Sequence, residues 1–232
     1  MADEFNDQER RLLYGRRQGH KLKGRQAELM QSLLPGLAID LRSRDGETPA
    51  KLFGPDIDDV RIEIGFGGGE HLAAEADAHM NVGFIGAEPF VNGVAKLLSA
   101  VDEQDLKNVR VHAGDARELL DWLGDASVSE VFLLYPDPWP KKRHHKRRFV
   151  ARDNLDRLHR VLKPGGIFMF ASDIQDYVRW TLREMLSHGG FEWTAQSAVD
   201  WRNPPEGWQG TRYEQKAVRE GRTPAYLEFR RK

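Results

Sequence analysis

The sequence predicts an α/β fold: a doubly wound, mostly parallel seven-stranded sheet with helices on both faces, preceded by a basic N-terminal arm. Three observations carry this. From about residue 60, short β-branched runs alternate with segments of helical spacing, the pattern of a parallel sheet covered on both sides. A glycine-rich turn, Gly65 to Gly69, joins the first run to the first helical segment. The first five runs each end in or beside a carboxylate: Glu63, Glu88, Asp115, Asp137 and Asp173.

The elements follow in order. The first ~25 residues form the arm; residues 10–25 hold seven Lys/Arg and no acid. The segment 24–34 has helical spacing and is stopped by Pro35-Gly36. Residues 35–58 are rich in Gly, Pro and Asp and read as a connector with little regular structure. Strands are then expected at 60–64, 82–88, 109–115, 128–137, 167–173 and at the C-terminal PAYLEFRRK, with helices between them. The helix RDNLDRLHRVLKPGG is expected to end at its Pro-Gly-Gly. Sequential right-handed crossovers make such a sheet doubly wound. No internal repeat or low-complexity tract interrupts it.

Composition narrows the function classes. At 232 residues and 40% hydrophobic content the chain can bury one sizeable core. It has no cysteine, which excludes disulfides and thiolate metal sites. No apolar run approaches the ~20 residues of a membrane span, and the opening MADEFNDQER lacks an apolar signal core. The expected setting is cytoplasmic, without a membrane. Net charge is −1, but the cations are blocked: residues 141–148 hold six Lys/Arg and no acid. His144 and His145 lack partners at ligand spacing, so no metal is expected.

In doubly wound sheets, ligands bind beyond the carboxyl ends of the strands. Acids favour loops and helix starts anyway, so one alone says little; five of five point to a shared edge. The turn reads E-x-G-x-G-x-G, with Glu63 two residues before Gly65, then Gly67 and Gly69. A dinucleotide loop wants Gly or Ala where Glu70 stands. An acid at Glu63 repels a pyrophosphate and suits a cationic ligand such as S-adenosylmethionine. Glu88 is placed for ribose hydroxyls and Asp115 for the adenine edge.

The stretch YPDPWPKKRHHKRR (135–148), together with EIGFGGGEHL (63–72), RRQGHKLKGRQ (16–26), ASDIQDY (171–177) and TRYEQK (211–216), resembles the bacterial tRNA (guanine-N7-)-methyltransferase family of class I, Rossmann-like methyltransferases. The resemblance implies that residues 56–232 form the methyltransferase domain behind an arm, helix and connector at 1–55. It implies that Glu63, Glu88, Asp115 and Asp137 contact S-adenosylmethionine, with Asp137 catalytic and S-adenosylhomocysteine as product. Lys141, Asp173 and Thr211, Arg212, Tyr213 and Glu214 would contact substrate. Arg143, His144, His145, Lys146, Arg147 and Arg148 would touch RNA, joined by Arg16, Arg17, Lys21 and Lys23. The implied substrate is guanine 46 in the variable loop of tRNA, with no obligate protein partner and a monomer or homodimer.

Guanine N7 carries a lone pair and no proton, so transfer needs positioning more than a general base. Asp173 or Glu214 could accept from guanine N1–H and N2–H₂. Trp139 and Tyr213 are candidates to stack a flipped base. Three rivals share the fold: an NAD-dependent oxidoreductase, a non-catalytic RNA-binding module, and a methyltransferase acting on an exocyclic amine of a base in another RNA. Glycine spacing opposes the first and the complete set of acidic strand ends the second. The third is disfavoured by the single proline between Asp137 and Trp139, where amine methyltransferases carry two.

Overall fold

The computed structural model describes residues 14–22 and 24–232. Lys23 and the start of the arm lie outside the described residues. Among the described residues, seven strands form one sheet: β1 (Asp59–Ile64), β2 (Val82–Ala87), β3 (Val109–His112), β4 (Val128–Leu134), β5 (Leu162–Ser172), β6 (Phe191–Trp193) and β7 (Ala225–Arg231). Their order is β3-β2-β1-β4-β5-β7-β6. β1 to β5 run parallel, and β7 is antiparallel to β5 and β6. The chain winds outward from β1 to β3, then returns to place β4 beside β1 on its other side. The switch point therefore lies between β1 and β4, and the expected doubly wound sheet is observed.

Period-two alternation assigns each face. Val60, Ile62 and Ile64 of β1 join Val131, Leu133, Phe168 and Phe170 in one core. It is covered by α5 (Ala116–Trp122), α6 (Arg152–Val161) and α7 (Gln175–His188). On the opposite face, Phe84, Val109 and Val111 meet α3 (Glu70–Ala78) and α4 (Val91–Glu103). The helix α1 (Arg25–Ser32) joins this second core through Leu29, which is buried against α4.

Between that core and the Phe132–Met169–Tyr226 cluster, the face turns polar: Arg61, Glu63 and Glu130 project from β1 and β4. Arg61 Nη1 lies 3.3 Å from Glu130 Oε2 and 3.6 Å from Glu75 Oε2. Burial nonetheless pushes the Glu130 carboxyl up to about 7; Arg61 pulls it down, and Glu75 and Glu228 add repulsion. The folded pKa thus exceeds the unfolded one, so Glu130 favours the fold most below its ordinary range and disfavours it as pH rises through about 7. Glu130→Gln should raise Tm by about 2–4 °C at pH 8. The gain should vanish at pH 4, as melting curves at both pH values would show.

Two expectations are corrected, and further elements appear. The helix α6 ends at Val161, before the Pro-Gly-Gly, because Leu162 already pairs with Val128 and Ser127 N–H donates to Val161 O at 2.8 Å. Pro164 to Gly166 instead sit inside β5, where the register with β4 shifts and Gly165 takes φ 77°. The connector 35–58 is more ordered than its composition suggests. It holds a short helix α2 (Leu34–Leu37) and two 3-10 turns, and is tied down by Trp122 Nε1 to Ser43 O at 2.9 Å. Finally, β6 and two helices, α8 (Val199–Arg202) and α9 (Arg212–Arg219), were not read from the sequence.

Candidate active site

Strand order lays the acidic strand ends side by side: Asp115, Glu88, Glu63 with its glycine loop, Asp137, then Asp173. The loop itself turns through left-handed backbone at Gly67, φ 58°. Its carbonyl is so close to Gly93 of α4 that a Cβ on Gly93 would lie 2.1 Å from Gly67 O. Gly93→Ala must displace one backbone or the other. For the S-adenosylhomocysteine that the resemblance places on this loop, overpacking strain of about 1–3 kcal/mol predicts roughly tenfold to hundredfold weaker affinity by calorimetry.

Glu88 is buried and braces the loop: Oε2 accepts from Gly67 N–H at 2.8 Å and Oε1 from Phe90 N–H at 2.9 Å. Burial raises its pKa; those two N–H groups pull it back, and Asp137 and Glu63 raise it further. Glu63 is also buried and accepts from His71 Nδ1 at 2.9 Å. His71 lies between Phe132 and Trp208, with Nε2 4.0 Å from Glu75. Desolvation opposes its charge, but Glu63 and then Glu75 and Glu130 outweigh it and raise its pKa. Among the described residues, no Lys or Arg is paired with Glu63, Glu88 or Asp137. Three carboxylates around a glycine loop make a negative recess that fits a cationic cofactor and opposes a pyrophosphate.

Asp115 sits further out. It caps α5 by accepting from Arg117 N–H at 2.9 Å, and the Arg117 guanidinium also bonds it. A ligand contact there would share the carboxylate with Arg117.

The turn after β4 is the most strained part of the site. Tyr135 and Trp139 both have positive φ, 50° and 44°, on either side of Pro136-Asp137-Pro138. Such conformations cost about 1–3 kcal/mol each and persist where neighbours over-determine them. Asp137 itself is exposed. The arm crosses above it: a Cβ on Gly15 would lie 3.7 Å from Asp137 Oδ2, and the Tyr14 ring meets Trp139 edge-on at 6.1 Å. Further along, Arg17 O accepts from Val91 N–H at 3.0 Å, and Asn92 bonds both Gly19 N–H and His20 O.

The proposed substrate residues lie at the start of α9, just after β5 and just before a 3-10 turn. Thr211 caps α9 by accepting from Glu214 N–H at 3.0 Å. Tyr213 lies over the glycine loop, its Cε2 3.2 Å from where a Cβ on Gly67 would stand. Arg212 Nε is 3.7 Å from Glu70. Glu214 accepts from Trp208 Nε1 at 2.7 Å and from Tyr226 OH at 2.8 Å. Asp173 is ion-paired with Arg222. Lys141 is exposed at the start of the 3-10 turn Lys142–Arg147.

The basic run divides. Arg143 and Lys146 are exposed, as are Arg16, Arg17 and Lys21 of the arm. Arg147 lies over the Tyr14 and Trp139 rings at 4.4 and 4.9 Å. His144 packs edge-on against Trp139, and His145 sits 3.7 Å from Asp176 and against Trp180. Arg148 does not share the basic surface: its side chain is 0% exposed and turned inward. His71, Trp208, Tyr226 and Arg222 were not singled out from sequence. His71 alone had a signal, lying eight residues after Glu63 within a quoted motif.

Comparison with known proteins now decides the family. The "Putative methyltransferase" family model matches residues 58–227. The tRNA (guanine-N(7)-)-methyltransferase of Agrobacterium fabrum is 55% identical over 232 residues, covering 100% of both chains. That of Bradyrhizobium diazoefficiens is 51% identical over 230 residues, covering 99% of this chain and 98% of its own. The chain belongs to the tRNA (guanine-N(7)-)-methyltransferase family. A solved structure of the 16S rRNA methyltransferase KamB aligns with TM-score 0.58 at 16% identity, over 76% of this chain and 89% of that one, which speaks to the fold alone. No helix among the described residues of this methyltransferase is long and apolar enough to cross a membrane, and no group of three or more metal-ligating side chains occurs among them.

Proposed function

We propose that this enzyme transfers a methyl group from S-adenosylmethionine to N7 of guanine 46 in tRNA. The observation that carries the reading is the negative recess of Glu63, Glu88 and Asp137 beside a ledge of exposed cations. When bound, S-adenosylmethionine supplies an electrophilic methyl on a sulfonium. Glu63, Glu88 and Asp115 would hold the cofactor, with Gly65, Gly67 and Gly69 shaping the loop. N7 needs no deprotonation, so the side chains orient and stabilise. Asp137 faces the positive charge that passes to the purine.

Of the two carboxylates that could read the guanine edge, Glu214 fits better. Its partners, Trp208 and Tyr226, are neutral donors, whereas the charge of Asp173 is already met by Arg222. A carboxylate left without the N1–H and N2–H₂ donors would reject adenine. Asp173→Asn should therefore keep most guanine turnover.

The exposed cations would follow the tRNA backbone, with residues 1–55 adding a second contact to the catalytic domain at 56–232. Action in the cytoplasm, as a monomer or homodimer without an obligate partner, completes the proposal. Methyl transfer from labelled S-adenosylmethionine to total tRNA, mapped by borohydride and aniline cleavage, tests it. Scission at position 46 is expected. Label on an exocyclic amine would favour the amine-methylating alternative instead.

A further inference from the structure

We propose that Arg148 is a positioning residue that holds the catalytic turn in shape, and that it is not a phosphate contact. The inference rests on the reading of Asp137 as catalytic. The turn 135–139 has unfavourable backbone at both ends, so both ends need contacts that fix it. At the first end, Tyr135 N–H donates to Ala171 O at 2.7 Å. At the second end, Arg148 Nε donates to Pro138 O at 3.0 Å, the carbonyl directly after Asp137. Pro138 has no N–H, so this carbonyl is its one backbone polar group.

The other end of the same guanidinium is anchored on α7. Nη2 donates to Asp176 Oδ2 at 2.5 Å, and the group lies over the Tyr177 and Trp180 rings at 4.8 and 5.1 Å. Tyr177 is fully buried, and Trp180 Nε1 donates to Val150 O at 2.6 Å. The α7 helix is therefore a rigid support, and one flat cation links it to the turn. A planar fork can bond a carbonyl and a carboxylate at once while its face lies on rings; an ammonium cannot. Burial removes the group from any phosphate.

The test compares Arg148→Lys, Arg148→Gln, Asp176→Asn, Lys146→Ala and Asp137→Asn in the full chain, with tRNA and S-adenosylmethionine. Turnover is read at saturation, and tRNA affinity across a salt series. Arg148→Lys should lower kcat roughly 10–100-fold, since small misplacement of reacting groups has costs of that order, and Arg148→Gln, which removes the charge, should leave the slope of log affinity against log salt unchanged. Lys146→Ala should make that slope shallower by about one.

If Arg148→Lys does not fold, Asp176→Asn decides. Its side chain is 53% exposed, so the variant should fold, and it should lower kcat at constant slope. Unchanged kcat in whichever of these two variants decides, or a slope shallower by about one in Arg148→Gln, would overturn the assignment. Asp137→Asn separates the two readings. Full turnover there removes the catalytic role of the turn, whereas a loss there with full turnover in the Arg148 and Asp176 variants removes the tie alone.

Discussion

Raising salt from 50 to 200 mM should weaken tRNA binding by about 10³-fold. Among the described residues, seven cations stand exposed beside the site: Arg16, Arg17 and Lys21 on the arm, and Lys141, Lys142, Arg143 and Lys146 after the turn 135–139. If about six meet phosphates, each releases close to one counterion, and a fourfold rise in salt has the stated effect. His144 adds little at neutral pH. Desolvation and the charges of Arg147, Arg143, Lys141 and Lys146 hold His144 below its usual pKa. Anisotropy of labelled tRNA across a salt series measures the slope. A flat line would remove the phosphate role of both blocks together. Single substitutions such as Arg143→Ala should each take about one unit from the slope.

Asp137→Asn should lower kcat by about 10²–10³-fold, the usual loss when one electrostatic stabiliser of the transition state is removed. Asn keeps the size and the hydrogen-bonding oxygen, so the strained turn and the edge contact of Trp139 with Tyr14 should persist. What is lost is a fixed negative charge beside a purine that becomes cationic. Glu63 and Glu88 cannot replace it, because His71 and the backbone N–H groups of Gly67 and Phe90 already hold them. On the proposed reading Asp137 also borders the cofactor, so KM for S-adenosylmethionine should rise, and kcat must be read at saturation. Single-turnover kinetics on tRNA gives both numbers. A kcat within about threefold of wild type would assign catalysis to orientation by the other residues.

The two outcomes divide the stretch 135–148 by chemistry. Its acidic half is expected to govern rate and its exposed basic half affinity and salt dependence. Arg148 belongs with the first half although it stands at the end of the second. A run of like residues says only that the chain is basic there. Whether a given side chain faces solvent depends on what packs beneath it, and beneath Arg148 lie Tyr177, Trp180 and Asp176 from a helix 28 residues on.

Other features were legible to the extent that their causes are local. The strands at β1 to β5 follow from period and β-branching, and the turn after β1 from its glycines. The Pro-Gly-Gly at 164–166 was misread because a helix stop and a strand irregularity use the same residues, and the pairing of Leu162 with Val128 chose between them. Strand β6, three residues long, has too little sequence to show a period. The connector at 35–58 looked loose because its order comes from Trp122 and Arg110, which bond Ser43 and Leu52 from far along the chain.

By itself, the sequence determined the doubly wound sheet, the row of acids at its carboxyl edge, the glycine loop and the family, because these rest on periodicity, turn chemistry and residue motifs. Only the tertiary structure decided how those acids are held: Glu63 by His71, Glu88 by the loop it braces, Glu214 by Trp208 and Tyr226, Asp173 by Arg222. It likewise decided that the arm passes over Asp137 and that Arg148 turns inward. These contacts join elements that packing alone brings together. Their strength depends on burial and direction, which a residue acquires only from its neighbours in space.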